Sequence, residues 1–419
     1  MIVLYGMGYG MGIVSTLSQE GYKVGYIFDK DRVKFKDNLE QIIKSWSGEV
    51  LTKYGDDDFF IVDDIVNKKW DKLPRLHLVG NEYGDKIEDD RKFMMDEARK
   101  VGLDVGEFKE FHTIEEGKDF VRHEKGEWVI KLSGKFSLDK WTTYVSKGTE
   151  DMLDFMDFLA KYYKTDKIDY ILQQKFNGVE VALTHWNGSY FMNFEYKNFM
   201  KWSRYKTGEM GTLVKKIDKD NEIIKASKID DFLAEVRNHG EYNVPFDINM
   251  IADKDGLHFL EPTCRFGYPT LSIIMGMYKY DRGMMFTQAA KGEDFSADFT
   301  DKWTVGIVVN TPPSPYEIDD EKIMKKLSDI PINEKTISNH HNVVFEGLYK
   351  EDDMWKASLN GYDAVVSGIG NTIEEANSLA NKLAEFLNIP LSFWRTDIGL
   401  LDIKNVDKLK QWGYLNDKL

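Results

Sequence analysis

The first dozen residues place the strongest constraint on the fold. An apolar run, Ile2-Val3-Leu4-Tyr5, meets a glycine-dense turn, Gly6-Met7-Gly8-Tyr9-Gly10-Met11-Gly12. Ile13 to Glu20 then follow helical spacing, and a second apolar run, Tyr22 to Phe28, ends at Asp29. Strand, tight turn, helix, strand is a βαβ unit, whose two strands must lie parallel. A parallel sheet is covered by helices on its faces, so this opening predicts an α/β domain. Phe59 to Val62 and Leu76 to Val79 read as later strands of the same sheet.

The turn also carries a functional reading. In the dinucleotide pattern G-x-G-x-x-G, Gly6 and Gly8 fit the first two positions, the third falls on Met11, and Gly12 comes one residue late. Asp29 stands near the distance of a ribose contact. Two readings remain open here: a nicotinamide or flavin site, and glycines that let strand and helix pack closely.

The remaining 400 or so residues are too many for one core, and a chain of 419 residues predicts two to four domains. No apolar run approaches the roughly 20 residues of a membrane helix. No Lys or Arg precedes the N-terminal apolar stretch, so a signal peptide is not expected. Cys264 is the single cysteine, which leaves no internal disulfide and no Cys-based zinc site. These features together predict a cytoplasmic protein. A net charge of −15 opposes a direct nucleic-acid partner.

Further along, a helix is expected over about Glu88 to Gly102, capped by Asp89 or Asp90. Strands are expected at Trp128 to Leu132, Thr142 to Val145 and Tyr170 to Gln174. A helix over Thr149 to Tyr163 places Met152, Phe155, Leu159 and Tyr162 on its inner face. Phe246 to Ala252 and His258 to Leu260 read as hairpin arms around the turn Asp253-Lys254-Asp255-Gly256. Trp303 to Asn310 is a strand, followed by the Pro-dense loop Thr311 to Pro315. Ile373 to Leu387 is a helix opened by Thr372 with Glu374 and Glu375 in its first turn.

Two groups of residues point to chemistry. On the hairpin, Asp247 lies in one arm, while Glu261, Thr263 and Arg265 follow at two-residue steps in and after the other. Residues two apart on a strand share a face. Two acids, a hydroxyl and an arginine suit Mg²⁺ plus phosphate, since Mg²⁺ takes hard oxygen ligands and Arg forks onto phosphate. Solvated hairpin charges are the plainer alternative. Lys131 sits inside the apolar strand Trp128 to Leu132, where an ammonium needs a neutralising partner. A nucleotide phosphate or a structural ion pair would serve. His340 and His341 are adjacent, unlike a metal pair, and no nucleophile elbow or P-loop is present.

The order of these pieces resembles that of the ATP-grasp ligases, specifically phosphoribosylamine–glycine ligase. Val129 to Gly134 resembles the family's V-V-K-A-D-G strand. Gln173-Gln174-Lys175-Phe176-Asn177-Gly178-Val179-Glu180 resembles its E-E-F-L-x-G-x-E hinge, and Thr207 to Thr212 its T-G-G-M-G-A. Leu260 to Pro269 resembles I-E-F-N-x-R-F-G-D-P. Gly370 to Ala376 and Trp394 to Gly399 resemble its C-terminal helix start and R-K-D-I-G ending.

The resemblance implies three units: an N-terminal Rossmann-like domain over 1–88, an ATP-grasp domain over 89–300 with a lid at about 110–180, and a small α+β domain over 301–419. It implies ATP with Mg²⁺ or Mn²⁺, and amide formation through an acyl phosphate. Lys131 would bind ATP phosphates, Gln174, Lys175 and Phe176 the adenine, and Glu180 the ribose. Glu261, Thr263 and Asp247 would carry the metal. Arg265 would steady the transferring phosphoryl group, and Lys140 would close over it. Gly8, Gly211, Gly267 and Arg395 would line the substrate site. The substrates would be a small carboxylate such as glycine and an amine, with no membrane partner, in a monomer or homodimer.

The departures gather at the amine end. The opening lacks the family's G-S-G-G-R-E-H-A residues, and Ile61-Val62-Asp63-Asp64 stands where the family has its G-P-E-x-P-L loop. The family's C-terminal G-G-R-V is here Gly361-Tyr362-Asp363-Ala364, and Asp363 has the wrong sign for a phosphorylated sugar. Leu138-Asp139-Lys140-Trp141 replaces a glycine-rich lid loop. These changes predict a ligase with an altered amine acceptor. A non-catalytic nucleotide-binding scaffold and a nicotinamide enzyme are the competing expectations.

Overall fold

The computed structural model describes residues 1–65, 70, 72–124, 126–136, 143–201, 207–208, 210–316, 318, 320–337 and 340–416. Lys140 and the loop around it lie outside the described residues.

The glycine-dense opening folds as its pattern requires. Ile2–Gly6 is the central strand of a five-stranded parallel sheet, with Val24–Phe28 and Glu49–Val50 on one side and Phe59–Val62 and Leu76–Leu78 on the other. The helix Met11–Gln19 starts two residues earlier than its apolar spacing indicates, inside the glycine turn. All of Met11 to Leu17 is buried, so the helix is held by packing rather than by a side-chain cap.

A four-stranded antiparallel sheet follows, in the order Phe108–Phe111, Tyr170–Gln174, Trp128–Leu132, Thr143–Val145. It has its own apolar core, in which Met152, Met156 and Leu159 of the helix Thr149–Tyr163 meet Trp128, Ile130 and Leu132. The inner stripe thus runs through Met156, while Tyr162 is 49% exposed and lies off it. This small core is separate from the main one, to which the sheet contributes Ile171.

The largest sheet has eight antiparallel strands: Leu257–Thr263, Phe246–Ala252, Val179–Trp186, Ser189–Glu195, Gly211–Ile217, Trp303–Asn310, Tyr362–Gly370 and Val343–Phe345. Strands from both sides of residue 300 therefore share one sheet. The remaining small sheet joins Pro331–Ile332, Met354–Lys356 and Tyr349–Glu351.

The expected helix over 88–102 is two helices, Glu82–Asp89 and Arg91–Lys100. Asp90 breaks them with an extended backbone, and its carboxylate accepts from the Phe93 N–H at 3.0 Å. A local cap thus outcompetes continuation of the helix. Thr372 caps Ile373–Leu387 in the expected way, with Glu375 reaching back to the Asn371 N–H at 2.7 Å.

His341 is a structural histidine. Its Nδ1 accepts from Arg282 at 2.8 Å, its Nε2 lies 2.7 Å from the Tyr278 carbonyl, and Arg282 pairs with Glu20 at 2.9 Å. This chain of contacts ties the first helix to the C-terminal strands.

Candidate active site

The hairpin register sets the geometry of the site. Asn249 pairs with Glu261, Asp247 with Thr263, and Asp247 again with Thr184 on the next strand. These side chains share one face of the eight-stranded sheet. Three cations converge on Glu261 from separate elements. Arg91 Nη1 lies 2.8 Å from its Oε2. Lys131 reaches across from the four-stranded sheet and donates to the Leu260 carbonyl at 2.7 Å. Lys197, just past the strand Ser189–Glu195, bridges Glu180 at 3.2 Å and Glu195 at 3.0 Å.

The electrostatics follow from this crowding. Burial pushes the Lys131 ammonium down to about 8, against the pull of Glu261. Burial works to raise Glu261, yet Arg91, Lys131 and Lys197 outweigh it and hold the carboxyl at about 2. Lys197 is raised despite its burial, by Glu195 and Glu180. An ionised carboxylate among three cations can take a polyanion and a hard cation together.

Asp247, expected with the metal, does not join Glu261. Its Oδ2 accepts from Thr184 at 2.6 Å and lies 3.4 Å from Asn193 Nδ2. Burial and nearby Glu195 push it up to about 8. Asn249 is the residue directly opposite Glu261 on this strand.

Arg265 turns away from Glu261. Its Nε lies 3.0 Å from Glu88 and 3.4 Å from Asp64, and Glu88 also accepts from the Cys264 N–H at 2.9 Å. Arg395 is committed as well, forked onto Asp397 at 2.8 and 3.1 Å and donating to the Asn198 carbonyl at 3.0 Å. It braces the C-terminal segment, and these contacts take three of its five N–H donors. Gly211 is held by packing, since a Cβ there would stand 2.5 Å from the Gly306 carbonyl. Gly267 alone of the expected glycines has open space over its Cα.

In the hinge, the N–H groups of Gln174 and Lys175 already donate to the Glu107 and Glu127 carbonyls, both at 2.8 Å. Phe176 stacks on His258 with centroids 4.2 Å apart. Any ring bound at this edge must therefore use groups other than those two N–H donors.

The glycine turn closes on the protein itself. Gly8 N donates to the Tyr26 hydroxyl at 2.8 Å, and Gly10 N donates to Asp63 Oδ2 at 2.8 Å. A Cβ on Gly6 would overlap the Asp63 carboxylate. That carboxylate occupies the Gly10 N–H, one of the backbone donors a dinucleotide pyrophosphate would use. Asp363 is also internal: it is fully buried and accepts from the Ser358 N–H at 2.7 Å, so its sign says nothing about a substrate.

Arg91, Lys197 and Asn249 are the site residues that sequence reasoning passed over. One signal was present for Arg91. It opens a helix, where a cation opposes the helix dipole, so it needs a partner from elsewhere in the fold.

The parallel sheet, the small antiparallel sheet and the large antiparallel sheet carrying Glu261 together make the ATP-grasp fold. In sequence the chain is 29% identical over 161 residues to the phosphoribosylamine–glycine ligase of Methanococcus maripaludis, a stretch covering 38% of this chain. That match spans about a third of the curated relative, 35% of its length. No family model matches the chain. The phosphoribosylamine–glycine ligase of Thermotoga maritima superposes with a TM-score of 0.69 at 16% identity, covering 95% of this chain and all of that one. The biotin carboxylase domain of a Hydrogenobacter thermophilus 2-oxoglutarate carboxylase, solved with MgADP and bicarbonate, gives a TM-score of 0.56 at 10% identity, covering 98% of this chain and 95% of that one.

Proposed function

We propose that the chain is an ATP-dependent carboxylate–amine ligase. The observation that carries this reading is the set of three cations, Arg91, Lys131 and Lys197, around an ionised Glu261 at the junction of two sheets. A carboxylate is a poor electrophile. Its oxygen attacks the terminal phosphorus of ATP, giving an acyl phosphate and ADP. The amine then attacks the acyl carbon, phosphate leaves, and an amide results.

Phosphoryl transfer depends on position and charge neutralisation more than on a nucleophilic side chain. Arg91 and Lys131 hold the phosphates, and Lys197 offsets charge on the side of Glu180. Closure of the four-stranded sheet over the site excludes water from the acyl phosphate.

Mg²⁺ fits the residues present. Glu261 is held ionised, and Asn249 and Thr263 offer neutral oxygens beside it. Among the described residues no group of three or more His, Cys, Asp or Glu is set to hold a metal by itself. A Mg²⁺ shared between one carboxylate and substrate phosphates suits that donor set. When bound it would neutralise charge on the phosphates.

The carboxylate follows the named relatives, for which glycine is the natural first candidate. ADP release should require both a carboxylate and an amine. A screen of amino acids against amines, with glycine and phosphoribosylamine included, tests this. Nucleotide binding without turnover across the whole screen would overturn it.

A further inference from the structure

The turn from Gly6 to Gly12 leads into the helix Met11–Gln19, an arrangement that ordinarily seats a phosphate on backbone N–H groups. Here the seat is taken by a side chain of the protein. Asp63 is fully buried, its Oδ2 accepts from Gly10 N and the Tyr26 hydroxyl, and its Oδ1 has no hydrogen-bond partner. A phosphate would meet both an occupied donor and a like charge.

The surroundings have the same sign. Asp64 is buried beside Asp63, and Glu88 stands opposite. These two carboxylates share Arg265, at 3.4 and 3.0 Å. Arg32 reaches Asp64 only at 3.9 Å and is partly committed to the Ile65 carbonyl. Among the described residues, then, three carboxylates face two guanidiniums, one of them peripheral. An uncompensated negative charge in a buried site is costly unless a cation arrives. Burial raises all three acids, with the neighbouring carboxylates adding to it.

Two further features point to a bound cation. Tyr9 and Tyr268 stack at 6.1 Å beside the acids, and Tyr9 is 53% exposed. Aromatic faces attract ammonium groups. Gly267, next to Tyr268, leaves open space. The strand carrying Glu261 runs directly into this wall through Cys264 and Arg265, so a ligand here lies beside the phosphoryl-transfer centre.

We infer that the amine substrate is a cationic, unphosphorylated amine, read by Asp64 and Glu88, and that Asp63 plugs the glycine turn against phosphate. This rests on the ligase reading for its chemistry and names the substrate class of that site. As in any acyl transfer, the attacking amine loses a proton as the C–N bond forms and phosphate departs.

Calorimetric titration of the full chain tests the inference. MgADP is titrated first, which tests the nucleotide site separately. At saturating MgADP, 1,4-diaminobutane should bind at least tenfold more tightly than O-phosphoethanolamine. Asp64→Asn and Glu88→Gln should each weaken diamine binding about tenfold. Asp63→Asn keeps an acceptor for Gly10 N and Tyr26 but drops the charge, and should narrow the gap between the two amines at least threefold. Equal or tighter binding of O-phosphoethanolamine overturns the inference. So does failure of both amines to bind, or wild-type diamine affinity in both acid variants. If MgADP itself fails to bind, the nucleotide reading falls, and the amine titrations on the unloaded chain still decide this one.

Discussion

Arg91 and Glu261 stand 170 positions apart in the chain and 2.8 Å apart in the fold. Arg91 opens the helix after Asp90, and Glu261 lies near the end of a hairpin arm. The contact joins the lead-in helices to the large sheet at the point where Lys131 arrives from the small one. It helps hold Glu261 ionised and keeps a guanidinium beside that carboxylate.

Arg91→Ala should weaken MgADP binding by roughly 10- to 100-fold, the scale of a lost charge-assisted hydrogen bond. Arg91→Lys should recover part of it, because a lysine keeps the charge and loses the fork. Calorimetric titration of MgADP against the two variants measures the difference.

Glu261→Gln should abolish Mg-dependent ATP turnover, by about 100-fold or more, while the chain stays folded. The side chain is about one-third exposed, at 32%, so its neutral replacement opens no cavity. Circular dichroism with a turnover assay separates the two effects. Full activity in the variant would contradict the metal assignment.

Lys131 should make nucleotide affinity fall in alkali. Its ammonium titrates near 8 because burial disfavours the charge, so the phosphate-binding form is lost as pH rises through that value. MgADP should bind about tenfold more weakly at pH 9 than at pH 7. Lys131→Met should bind weakly at both and show no such step. The stability of the empty chain should move the other way. The unfolded lysine keeps its proton up to about 10.5 while the folded one releases it, so this residue's contribution rises with pH between 8 and 10.5.

His341 should destabilise the fold on acidification. Burial and the facing Arg282 lower its pKa, and its neutral form accepts from that arginine. The unfolded histidine binds a proton below about 6.5, so stability is full above that pH and falls as pH drops toward the folded value. Glu20 and Asp281 face the same arginine, and burial raises the Glu20 carboxyl. Thermal unfolding of His341→Gln against the parent from pH 7.5 to 5 isolates the histidine: the variant should show the shallower loss.

Much of this was legible where chemistry is local. The glycine turn between two apolar runs demanded a βαβ unit, and Thr372 with Glu375 marked a helix start. The two-residue step from Glu261 to Thr263 placed both on one face. The break at Asp90 was less visible, because a cap and a continuing helix use similar residues. Arg91, Lys197 and Asn249 were not visible at all as partners of Glu261. Their roles come from register and from contacts across distant segments, which no local spacing encodes. Arg265 and Arg395 show the converse. Both sit in family-like motifs, yet each is paired with nearby acids.

The large sheet has a consequence for cutting the chain. Trp303–Asn310 fills the open side of Gly211–Ile217, and Tyr362–Gly370 then covers Trp303–Asn310. A fragment stopped near residue 300 would present Gly211–Ile217 as a bare edge, with Leu213 and Val214 losing their cover. Such an edge templates sheet-to-sheet association. Residues 1–300 are therefore expected to aggregate when made alone, and to be rescued by co-expression with residues 301–419.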